Sequence, residues 1–177
     1  MGKYVAFLRG INVGGNKKVP MVKLKRTFEN LGFENVRTLL ASGNVIFEGK
    51  RANLASLVKK ISATLGEAFG FTIPVILLDT SEIKKMIESN PFKKIEITSQ
   101  KRFYVTFLSA EPQSKLKIPY INTDNSFSIL SIEGNAVFSV LDLAKTGTPE
   151  AMGILEKEFG KNITTRNWNT IIKILKK

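Results

Sequence analysis

The chain has 177 residues, 43% of them hydrophobic, and a formal net charge of +12 from 27 Lys and Arg against 15 Asp and Glu. It contains neither Cys nor His, which excludes disulfides, thiol nucleophiles and zinc or haem sites built on thiolate or imidazole. Only oxygen-ligand metals remain, acid–base chemistry would need a Lys, Asp or Glu of shifted pKa, and the positive balance favours phosphate-bearing or otherwise acidic partners.

Lys3 to Arg9 is apolar on both alternating faces, as in a central strand, and stops at Gly10. A Gly- and Asn-rich loop leads to Pro20, after which Met21, Leu24, Phe28 and Leu31 recur at helical spacing until Gly32. Val36 to Ala41 and Asn44 to Glu48 flank Ser42-Gly43 as a predicted hairpin. Leu54, Leu57, Val58, Ile61 and Leu65 mark a second helix ending near Gly70, and Phe71 to Leu78 reads as a fourth strand. Strand, helix, hairpin, helix, strand predicts a ferredoxin-like antiparallel sheet with two helices on one face.

Asp79 then caps a linking helix, with Glu82 at the box position and Asn90-Pro91 as its stop. Tyr4-Val5-Ala6-Phe7-Leu8 returns as Tyr104-Val105-Thr106-Phe107-Leu108, and Gly43-Asn44-Val45-Ile46-Phe47 as Gly134-Asn135-Ala136-Val137-Phe138. The second half therefore reads as a divergent copy of the first. Its strand at Arg102 to Ser109 is followed by a short helix at 112–118, a hairpin from Phe127–Ile132 and Ala136–Leu141, and a helix from Thr148-Pro149-Glu150. Where a fourth strand should come, Trp168, Ile171, Ile172 and Leu175 suggest an amphipathic helix instead. The fold class is thus α+β in two lobes. Residues 1–79 form the ferredoxin-like lobe, 80–101 a linking helix and loop, and 102–177 a second α+β lobe with a C-terminal helix.

The N-terminus enters a strand without a secretory apolar segment, and no apolar run approaches about 18 residues, so a soluble cytoplasmic protein with no membrane partner is expected.

Arg9-Gly10-Ile11-Asn12-Val13-Gly14-Gly15-Asn16-Lys17-Lys18 is the leading functional segment. Glycines that let backbone N–H groups turn inward, with Lys17 and Lys18 before a helix, predict an anion cradle; a tight strand-to-helix connection would use the same glycines. Against the P-loop pattern, Asn16 takes the lysine position and no hydroxyl follows Lys17; against G-x-G-x-x-G, Asn12 replaces the middle glycine. No cofactor-binding signature is completed. An RNA-recognition sheet is half matched by the first strand, but Asn44, Ile46 and Glu48 stand where the third strand should offer stacking rings. Arg166, Asn167 and Trp168 gather the only Trp with hydrogen-bonding groups, and Arg166 is placed at a helix start, where a cation opposes the macrodipole.

Tyr4 to Gly15, Ser42 to Phe47, Asn90-Pro91-Phe92 and Thr165-Arg166-Asn167-Trp168-Asn169-Thr170 together resemble, in order, the signatures of the bacterial family called domain of unknown function 1697. The resemblance spans nearly the whole chain and implies a two-lobed α+β protein with a ferredoxin-like first lobe, without an established activity. It points to Arg9, Asn12, Gly14, Gly15, Ser42, Asn44, Arg166, Asn167 and Trp168, polar or backbone-permissive types that would form a pocket if they converge. The resulting expectation is a non-catalytic binder of nucleic acid or a nucleotide, using the Arg9 to Lys18 loop with Arg166. The alternatives are an enzyme on a small anionic substrate clamped by Arg9 and Arg166, with Ser42 or a Lys acting chemically, and a protein-interaction module.

Overall fold

The protein is described by a computed structural model covering residues 1–114 and 116–176. It contains two compact units, Met1–Lys84 with the chain end from Ile174, and Lys85–Lys173.

In the first unit, β1 (Gly2–Leu8) is followed by α1 (Met21–Asn30), β2 (Glu34–Leu39), β3 (Asn44–Gly49), α2 (Leu54–Phe69), β4 (Val75–Asp79) and α3 (Thr80–Ser89), which runs on into the second unit. The sheet has the order β2-β3-β1-β4, antiparallel throughout. That is the order expected when helices follow the first and third strands. Leu24 and Phe28 of α1 and Leu57, Ile61 and Leu65 of α2 are buried against Tyr4, Ala6, Val45 and Phe47. Each such aliphatic side chain contributes roughly 1.5–3 kcal/mol on leaving water. The ring of Phe47 lies 4.4 Å from that of Phe33 and 5.2 Å from that of Phe28.

Asn53 caps α2 by accepting from Ser56 N–H at 3.2 Å, and Gly70 closes it in the left-handed region. Asp79 caps α3 as expected: its carboxylate accepts from Ser81 N–H at 2.8 Å while Glu82 accepts from Asp79 N–H at 3.1 Å. At the chain end, Arg37 donates to the carbonyls of Ile174 and Lys176 at 2.8 and 2.6 Å, satisfying helix-terminal acceptors with a cation.

Val5, Phe7 and Asn44 are fully buried and Ile46 is nearly so. None of these side chains presents an exposed ring on which a base could stack.

In the second unit, β5 (Lys101–Leu108), β6 (Tyr120–Ile121), β7 (Phe127–Glu133), β8 (Ala136–Asp142), α4 (Thr148–Phe159), β9 (Ile163–Asn167) and α5 (Trp168–Ile174) follow in order. The sheet order is β6-β7-β8-β5-β9. Apart from β6, it repeats the order of the first sheet. Leu8 pairs with Val75 and its N–H donates to Gly43 O at 2.8 Å, as Leu108 pairs with Ile163 and its N–H donates to Asn135 O at 2.8 Å. Tyr4 and Tyr104 thus hold equivalent ladder positions. The hairpin echo, by contrast, is out of step by one residue: Phe7 pairs with Asn44 but Phe107 with Ala136.

Three sequence expectations are corrected here. A fourth strand does exist, β9, and Arg166 lies within it rather than at a helix start. Its residues Thr164 to Asn167 carry no apolar alternation, and it is held by its ladder to β5 and by a 2.8 Å hydroxyl pair between Thr106 and Thr165. The short helix at 112–118 is not present in residues 112–114 and 116–118, while Lys115 lies outside the described residues. Ser114 instead accepts from Leu116 N–H and donates to Glu158, which competes with a helix. Finally, the buried stripe of α5 is Trp168, Ile171 and Ile174, and Leu175 falls beyond the helix and is 39% exposed. Among the described residues, no helix is long and apolar enough to cross a membrane.

Candidate functional site

The Arg9 to Lys18 loop is built as a protruding hairpin tip rather than a cradle. Val13 and Asn16 form an isolated antiparallel bridge, with Asn16 N–H donating to Val13 O at 3.2 Å. Gly14 and Gly15 lie between them at φ 60° and 78°, the two consecutive positive angles that a tight two-residue turn demands. Asn12 fixes the base of this tip. Its Oδ1 accepts from Val19 N–H at 2.8 Å, while Nδ2 donates to Val19 O at 3.0 Å and to Ala41 O at 2.8 Å. Both amide hydrogens are engaged, so Asn12 holds the loop in place rather than offering a donor to a ligand.

The same applies to Asn44, which is fully buried and donates to Leu39 O at 2.7 Å and Ser42 Oγ at 3.1 Å. Gly43 lies behind it at φ 79°, and a Cβ there would come within 2.6 Å of Ile11 Cδ1. Arg9, Asn12, Ser42 and Asn44 therefore do gather around one end of the first sheet, with Leu8 N–H bonded to Gly43 O. Gly10 and every residue from Asn12 to Lys18 are exposed, with Lys17 and Lys18 the cations among them. Lys17 Nζ stands 5.9 Å from the Phe71 ring, Lys23 Nζ 4.9 Å from Phe69, and Lys60 Nζ 5.9 Å from Phe33.

Charge is divided unevenly. The first unit carries fifteen Lys and Arg against six Asp and Glu, and the second twelve against nine.

Arg166, Asn167 and Trp168 belong to the second unit. Arg166 is 8% exposed and donates to Thr164 Oγ1 at 2.8 Å and Thr165 O at 2.9 Å; burial lowers its pKa to about 10, which leaves it charged at neutral pH. Trp168 packs edge to face on Phe92 at 5.2 Å and on Phe138 at 6.3 Å. Asn167 accepts from Asn169 N–H at 2.9 Å.

Beside these residues lies a cavity of about 540 Å³, within the range of small-ligand sites. Its apolar lining includes Phe92, Ile95, Ile97, Phe103, Trp168 and Ile172, and its polar lining Asn90, Lys93, Thr98, Lys101, Arg102, Asn167 and Asn169. No carboxylate lines it. Asn167 and Trp168 were legible from sequence. Lys93, Lys101, Arg102 and Phe103 were not, although Lys101-Arg102-Phe103 is a basic–aromatic run at a strand start.

The carboxylates with displaced pKa lean away from general acid–base chemistry. Asp79 is held below its usual range by the Ser81 N–H and hydroxyl, Glu48 by the Asn35 amide and then Lys3, and Asp124 by the Ser126 hydroxyl and N–H. A carboxyl general acid near neutrality needs the opposite direction. Among the described residues, no group of three or more His, Cys, Asp or Glu comes together to hold a metal.

The family model described as "Protein of unknown function (DUF1697)" matches residues 1–138. The chain belongs to this family. The match ends before the Thr165 to Thr170 segment, so the DUF1697 model itself says nothing of Arg166 or Trp168. No curated protein matches the chain. A solved structure, that of the conserved bacterial protein SP0830 from Streptococcus pneumoniae, is similar to this DUF1697 chain at 23% identity and a TM-score of 0.72. The similarity covers 98% of this chain and 96% of that one, and it shows a shared fold.

Proposed function

We propose that this DUF1697 protein is a non-catalytic binder of a phosphate-bearing ligand, foremost nucleic acid, through the basic surface of its first unit around the Arg9 to Lys18 loop. One observation carries the reading: Met1 to Phe28 holds seven basic residues and no acid, and its unit has fifteen Lys and Arg against six Asp and Glu. Such a surface attracts phosphates by counterion release and needs no base-specific groups. Lys17, Lys23 and Lys60 each stand near one aromatic ring, that of Phe71, Phe69 and Phe33 respectively. With Asn12 engaged internally, the loop contributes Lys17, Lys18 and a fixed protruding shape rather than an amide nest.

The common strand order of the two sheets supports reading the lobes as a repeated ferredoxin-like unit, with the charge gathered in one copy. Amide chemical shifts during titration with an oligonucleotide test the binding site. Shifts concentrated at residues 10–18 and along α1 are expected, and shifts spread evenly over all exposed lysines would contradict it.

A further inference from the structure

The geometry points to a second, independent site: the cavity of the second unit takes a nucleoside monophosphate, a planar heteroaromatic ring bearing a phosphate. Three cations, Lys93, Lys101 and Arg102, line one cavity with no carboxylate in its wall. Among the described residues none of the three is in an ion pair. Asp142, opposite Lys101 in the ladder, directs Oδ1 to Ala144 N–H at 3.0 Å. Arg102 Nη1 is engaged by the carbonyls of Ser99 and Lys101 at 2.8 and 3.1 Å, which fixes the guanidinium while Nη2 and Nε remain for an anion.

Charge alone would suit any anion. The aromatic wall narrows the class: Phe92 and Trp168 are nearly buried and brace each other, whereas Phe103 is half-buried and lies 5.1 Å from Phe92, so it presents a supported ring to the cavity. Ile97, 84% exposed on the lining, is an apolar side chain that a bound ring would cover. A ring stacked on an aromatic side chain, with a phosphate met by unpaired cations, satisfies both halves of the lining. Asn167 and Asn169 add amides suited to a base edge.

The test uses the full-length protein, whose only Trp, Trp168, lines the cavity and serves as a fluorescence reporter, with calorimetry alongside. The four ribonucleoside 5′-monophosphates, their nucleosides and inorganic phosphate are titrated separately. At least one monophosphate should saturate with half-saturation below about 1 mM, and its nucleoside and inorganic phosphate should bind at least roughly tenfold more weakly. Lys93→Ala and Lys101→Ala should each weaken it by roughly tenfold, while Lys157→Ala, on α4 and outside the cavity lining, should leave it unchanged. Failure of all four monophosphates to saturate, nucleoside binding as tight as that of the monophosphate, or binding that survives both lysine changes would overturn the assignment.

Discussion

Asn12 Nδ2 reaches the carbonyl of Ala41 at 2.8 Å, joining two loops that are 29 residues apart in the chain. Because the same side chain exchanges two hydrogen bonds with Val19, it ties the tip of the Arg9 to Lys18 loop to the approach of α1 and to the β2–β3 turn. Asn12→Ala should destabilise the protein by roughly 1–3 kcal/mol in urea denaturation, since Val19 N–H and two carbonyls lose a partner. Asn12→Asp keeps the acceptor for Val19 N–H but loses both donors, and it should fall between wild type and Asn12→Ala.

Two glycine substitutions separate backbone conformation from space. Gly14→Ala meets nothing within 4 Å and suffers only from its positive φ of 60°, so a loss of about 1 kcal/mol is expected. Gly43→Ala adds a Cβ 2.6 Å from Ile11 Cδ1 and 2.9 Å from Leu8 Cβ at φ 79°. Overpacking then adds roughly 1–3 kcal/mol to the conformational term. Urea midpoints should rank wild type, Gly14→Ala, then Gly43→Ala; equal losses would mean that the Gly43 site relaxes freely.

Asp79 links stability to pH. Its folded pKa lies below the ordinary value of 3.8 because the Ser81 N–H, then the Ser81 hydroxyl, bind the carboxylate. The contribution is therefore fully present above the unfolded pKa and is lost as pH falls through the folded one. Asp79→Ala should cost roughly 0.5–2 kcal/mol at pH 7 through loss of the cap. Asp79→Asn retains a capping oxygen but should flatten the fall in thermal midpoint below about pH 4. A wild-type acid limb in Asp79→Asn would assign that limb to other carboxylates.

Strong local signals made much of this fold readable. The doubly apolar β1, the helical spacing of Leu57, Ile61 and Leu65, and the Asp79 and Glu82 box are each specified within a few residues. β9 was not readable, because Thr164, Thr165, Arg166 and Asn167 become a strand only through pairing with β5, 57 residues or more away. The β-branched run Ile163-Thr164-Thr165 was the available hint. At the candidate sites, the exposed Lys17 and Lys18 were plain, but the engagement of Asn12 and Asn44 depends on distant carbonyls, and the cavity depends on Phe92, Phe103 and Trp168 meeting across three segments.

Trp168 packs edge to face against both Phe92 and Phe138. Trp168→Ala should destabilise by roughly 3–5 kcal/mol, and Trp168→Phe by much less, as read by urea denaturation followed by circular dichroism. Similar small losses for both would place Trp168 outside the stabilising core.

The most direct test of the proposed function is the salt dependence of oligonucleotide binding, followed by fluorescence anisotropy in wild type and in Lys17→Ala/Lys18→Ala. Counterion release predicts a steep, linear fall of log affinity with log salt, and loss of two phosphate contacts should reduce the slope by about 2 in the double variant. An affinity that is flat in salt, or a slope unaltered by removing both lysines, would contradict nucleic-acid binding through this loop.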